Sequence, residues 1–90
     1  MKTLYRYHMD CGRMGNVTGL FVADSVKVKT AIGRQVYFGE ILGKHSEIYG
    51  TLEAGEIEAL TTDRDFIEKA EKLKVVPSGY NPLDYLEEND

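Results

Sequence analysis

A chain of 90 residues with a net charge of −4 and a single cysteine reads as one domain, residues 1–90, with a modest core, because so short a chain buries roughly 60–65% of its unfolded surface. No apolar run approaches the roughly 18 residues that cross a bilayer, Met1–Arg6 lacks the apolar stretch of a signal peptide, and an acidic balance argues against non-specific binding to nucleic acid. One cysteine excludes an internal disulfide framework and suits a reducing compartment, so a cytoplasmic location is expected.

Thr3 to Met9 alternates, with Tyr5, Tyr7 and Met9 on one face and Leu4, Arg6 and His8 on the other, the period of a half-buried strand. Asp10 to Asn16 holds two glycines and two Asx residues and predicts a turn. Val17 to Ala23 follows as a second strand, interrupted by Gly19, so the first two strands form a hairpin. Ser25 to Ile32 alternates like a strand, yet Asp24 or Ser25 suits an N-cap and Gly33 a C′ position. The capping residues decide for a short helix, about 25–32.

Tyr37 to Gly50 predicts a second hairpin, closed by Gly43-Lys44-His45-Ser46. Closing it over the two central or all four tip residues gives one register. Tyr37 then lies opposite Leu52, Gly39 opposite Gly50 and Ile41 opposite Ile48 on an apolar inner face. Phe38 opposite Thr51, Glu40 opposite Tyr49 and Leu42 opposite Glu47 form a mixed outer face. Two facing glycines leave a gap for a helix or ring to fill. Ile57 to Thr62 is a further short strand. A clear helix follows over about 63–74, capped by Thr62 or Asp63, with Phe66, Ala70 and Leu73 as its apolar stripe, Ile67 beside them, and the gap as its natural seat. Pro77-Ser78-Gly79 predicts a turn, Asn81-Pro82 opens a helical turn, and Tyr80, Leu83 and Leu86 make an apolar edge that should dock. Residues 87–90 are expected to be a disordered tail. The fold class is α+β, a small antiparallel sheet of about four or five strands with these two helices.

Charge is uneven. Residues 1–50 carry seven basic and four acidic side chains, and residues 51–90 carry four basic and eleven acidic. Two basic glycine turns, one with Arg13 and one made of Gly43, Lys44, His45 and Ser46, could present backbone N–H groups and cations to a small anion or nucleotide. Neither has the spacing of a phosphate-binding loop. No motif asks for a metal or cofactor, and His8 and His45 lack ligand spacing. Cys11, near His8, Asp10 and Arg13, is the one thiol available to a thiol-dependent enzyme. The mixed face of Phe38, Glu40, Leu42, Glu47 and Tyr49 resembles a transient interface. Acting by occupancy needs no catalytic constellation. The favoured reading is therefore a small non-enzymatic regulatory or inhibitor-like module that binds a protein partner. An anionic-ligand or nucleotide-sequestering protein, assembled at a dimer interface, is the alternative. Homodimerisation would add stability that so small a core lacks.

Overall fold

The computed structural model describes residues 1–87, and it is α+β. Strands β1 (Lys2–Asp10) and β2 (Asn16–Asp24) form a hairpin, followed by helix α1 (Ser25–Ala31). β3 (Gln35–Gly39) and β4 (Ile48–Thr51) make a separate two-stranded ribbon. β5 (Ile57–Thr61), helix α2 (Arg64–Lys72) and the two-residue strand β6 (Ser78–Gly79) complete the elements, with a 3-10 turn at Pro82–Tyr85. The main sheet runs β5-β1-β2-β6, antiparallel throughout.

The alternation of β1 decides the layers. Tyr5, Tyr7 and Met9 are buried on one face, together with Val17 and Phe21 of β2, Val28 and Ala31 of α1, and Val36, Phe38, Ile48 and Leu52 of the ribbon region. Leu4 faces the other way and packs with Ile67 and Ala70 of α2, Val76, Leu20 and Val22. The sheet is thus the middle layer, with α2 on one side and α1 and the ribbon on the other. No helix among the described residues is long and apolar enough to cross a membrane.

Both helices have the caps read from the sequence. The Asp24 carboxylate accepts from the Val26 N–H at 2.9 Å, and Gly33 leaves α1 at φ +92°. The Asp63 carboxylate accepts from Asp65 and Phe66 N–H, contacts worth about 1 kcal/mol at an N-cap. The buried stripe of α2 is Ile67 and Ala70, whereas Phe66 is 56% exposed and Leu73 also faces water. This is a correction to the expected stripe, because α2 lies on Leu4 and not over the ribbon.

Two glycines do face each other at close quarters, but they are Gly19 and Gly79. A Cβ on Gly19 would collide with the Tyr80 backbone, and one on Gly79 with the Thr18 carbonyl. Ser78–Gly79, expected as a turn, can therefore close as an edge strand on β2, and Tyr80 N–H donates to the Thr18 carbonyl at 3.0 Å. From there the C-terminal segment docks. The Asn81 side chain accepts from Leu83 N–H at 3.0 Å, and Tyr80, Leu83 and Leu86 pack on the main core. Leu86 bridges to Val36, and Glu87 N–H donates to the Gln35 carbonyl at 2.9 Å. The tail expected from 87 onward lies, beyond Glu87, outside the described residues.

Candidate functional site

The ribbon departs from its expected register. Gln35 lies opposite Thr51, Val36 opposite Gly50 and Tyr37 opposite Tyr49, and a bulge at Phe38 then brings Gly39 opposite Ile48. The shift exchanges the faces of β3, as an odd slip must. Val36 and Phe38 point inward, Tyr37 outward. The expected Gly39–Gly50 pair does not form, and a Cβ on Gly39, at φ +75°, would meet only the Tyr37 ring at 3.8 Å. Phe38 explains the outcome. Its ring lies 4.6 Å from that of Tyr85, 6.0 Å from Tyr80 and 6.2 Å from Tyr7, and burying such a ring stabilises by about 1.5–3 kcal/mol. A glycine next in sequence takes the left-handed backbone that the bulge needs.

Of the five residues expected on the outer face, Phe38 is therefore in the core at 6% exposure. Leu42 is half-buried against that core. Glu40, Glu47 and Tyr49 are exposed. What stands outward is a cross-strand tyrosine pair, Tyr37 at 42% and Tyr49 at 67% exposure. Beside it, Gln35 donates from Nε2 to the Thr51 hydroxyl at 2.9 Å. The Tyr37 phenol is pushed above its ordinary pKa, chiefly by the Glu47 carboxylate, then by burial, with the negative charges of Glu40 and Glu87 adding to the effect. Acids thus gather near Tyr37.

The first basic turn spends four of its N–H groups internally, and the second spends one. In the first, a 3-10 turn over Gly12–Met14, Cys11 N–H donates to the Gly15 carbonyl, Met14 N–H to Cys11 and Gly15 N–H to Gly12. Gly12 N–H donates to the Asp10 carboxylate at 2.8 Å. Four N–H groups that a nest would aim at a ligand are spent inside the turn. Arg13 projects from it exposed. In the second, Ser46 N–H donates to the Gly43 carbonyl at 3.2 Å, with His45 at φ +69°. Lys44 and His45 are exposed, and Gly43 and Ser46 half-buried. The tip is the bend of an eight-residue loop, 40–47, rather than a tight hairpin turn.

The first turn, not the second, borders a groove of about 340 Å³, lined by Met9, Asp10, Cys11 and Met14 from one side and by Glu47, Ile48 and Tyr49, at the start of β4, from the other. Its charged lining residues are Asp10 and Glu47. Neither Arg13, Lys44 nor His45 lines it. Cys11 is half-buried, its thiol pushed up by burial and then by Asp10 and Glu56. A reactive thiolate needs the opposite surroundings. Among the described residues, no three or more His, Cys, Asp or Glu side chains are grouped to hold a metal ion. A larger groove of about 540 Å³ between α1 and the C-terminal turn mixes Lys27 and Arg34 with Asp24 and Asp84 and focuses no single charge.

Sequence reading missed Tyr37, Asp10 and Met14 as members of this surface. The signal for Tyr37 was present, since the β3 register that buries both Val36 and Phe38 turns Tyr37 outward. No protein-family model matches the chain, and neither a curated protein nor a solved structure matches it.

Proposed function

We propose that this chain is a small non-enzymatic module that acts by binding a protein partner through the outer face of the β3–β4 ribbon. One observation carries the reading. The fold buries Tyr5 and Tyr7 and packs Tyr80 and Tyr85 on the core, yet leaves Tyr37 and Tyr49 side by side in water. Tyrosine offers a large, stiff, amphipathic contact and is enriched at interface centres. Here Glu47, Glu40 and Glu87 bring negative charge near Tyr37, giving the mixture of aromatic centre and polar rim that transient interfaces use. A cytoplasmic location belongs to the same reading, supported by the lone cysteine.

The test is capture from host lysate on the immobilised chain, with each variant first shown to melt like wild type. A partner retained by wild type and by Lys44→Ala, and lost with Tyr37→Ser/Tyr49→Ser, is the expected outcome. Retention that ignores the tyrosines but is lost with Lys44→Ala or Arg13→Ala would move the site to the basic turns and favour the anionic-ligand alternative.

A further inference from the structure

We infer that the groove beside the tyrosine pair receives an arginine or lysine side chain of the partner. Its aliphatic stem would lie on Met9, Met14 and Ile48, and its charged head would be directed at Asp10 and Glu47. This rests on the protein-binding reading above and names the chemistry of that partner.

The chain builds the groove from two places. Asp10 ends β1, Cys11 precedes and Met14 closes the 3-10 turn that follows, Glu47 ends the loop, and Ile48 and Tyr49 open β4. Met9 and Ile48 are buried edges of the core, while Met14 is 45% exposed. The floor is therefore apolar and polarisable, which suits the methylene stem of a long cationic side chain. The rim is anionic. Among the described residues, neither Asp10 nor Glu47 takes part in an ion pair, since the three that form use Asp24, Glu71 and Glu58. Tyr49 stands at the mouth with its ring available for a cation–π contact. Glu40 and Glu87, whose charges are felt at Tyr37, continue the negative potential along the ribbon.

Size points the same way. A volume of about 340 Å³ is at the low end of ligand pockets, roughly 300–1,000 Å³, and has room for one long side chain rather than a cofactor. An anion would meet two carboxylates with no lining cation to offset them. Charge complementarity thus selects a basic segment, and the apolar floor selects a side chain with a stem.

The test titrates the isotopically labelled chain with a hexapeptide of alternating arginine and glycine, and with the same peptide carrying citrulline, which keeps the shape and removes the charge. The expected result is saturable shifts centred on the Met9 and Met14 methyls and Ile48, at least tenfold weaker with citrulline. Glu47→Gln and Asp10→Asn should each weaken arginine-peptide binding severalfold, as should added salt, and an alternating lysine–glycine peptide should bind at the same resonances. Equal response to arginine and citrulline, shifts centred elsewhere, or no saturable shift would overturn the assignment. If the peptide fails while capture still depends on Tyr37 and Tyr49, the groove assignment falls and the protein-binding reading stands. If both fail, the reading falls with it.

Discussion

The two hairpins of this chain differ in how tightly their sequences constrain them. β1 and β2 pair without interruption from Lys2–Asp24 to Asp10–Asn16, and their alternation alone assigns every residue of β1 to a face. β3 and β4 pair over a short stretch, break at a bulge, and are joined by an eight-residue loop. A long regular strand with one buried face resists slippage, because a one-residue slip exposes the whole apolar set. The short ribbon has few such residues, and its register is decided by where one ring, Phe38, finds partners outside the hairpin.

If that is so, the inner and outer faces of the ribbon should differ sharply in mutational cost. Phe38→Ala should destabilise by about 3–5 kcal/mol, most of the stability of so small a domain. Tyr49→Ser should stay within about 0.5 kcal/mol. Thermal unfolding of the two variants measures both, and comparable melting temperatures would return Phe38 to the outer face.

The glycine pairs sharpen the contrast. Gly19→Ala, in the regular hairpin, drives a Cβ into the Tyr80 backbone, which cannot yield without parting β2 from β6. A loss on the order of 3 kcal/mol is expected, or roughly 12 °C or more in melting temperature. Gly39→Ala, in the ribbon, meets only the Tyr37 ring at 3.8 Å. It should cost about 1–2 kcal/mol through left-handed backbone strain alone. Denaturant titration that ranks the two in the reverse order would show Gly39 to be the crowded site.

The smallest effect is alkaline. Burial raises the Tyr7 phenol well above its ordinary value, with Glu56 and Cys11 adding to it, while its hydroxyl meets only the Met9 sulfur at 3.5 Å. A group whose folded pKa is raised contributes stability that is full below the unfolded value, about 10. That stability is lost as pH rises toward the folded value. Wild type should therefore lose stability above about pH 10, and Tyr7→Phe should lose less across the same window while matching it at neutral pH. Parallel decline of both would assign alkaline unfolding to other groups.

The α+β class, both helix caps and the first hairpin were legible because each depends on neighbours in sequence. Asp24, Gly33, Asp63 and the Asn81-Pro82 pair act within a few residues of themselves. The β3 register, the Gly19–Gly79 crossing and the true stripe of α2 depend on partners far along the chain. Local pattern could not distinguish Gly39–Gly50 from Gly19–Gly79 as the close pair, since backbone approach is a property of the assembled sheet. The candidate surface was half legible. Tyr49 was placed outward by a register that was wrong in its pairs but right for the faces of β4 and inverted for those of β3. Glu40 and Glu47 lie exposed in the loop between the strands. Asp10 and Met14 entered only because the first turn folds back against the start of β4.

The docking of residues 80–87 bears on the order in which the chain can assemble. The walls around Phe38 include Tyr80 and Tyr85, and the free side of β3 is taken up by Leu86 and Glu87. During synthesis β1 can close on β2 early, from contacts near in sequence. The ribbon has to wait for residues far downstream, and such distant contacts close slowly. The surface assigned to partner recognition is then completed last, so a nascent or clipped chain would carry a formed sheet and an unformed binding face.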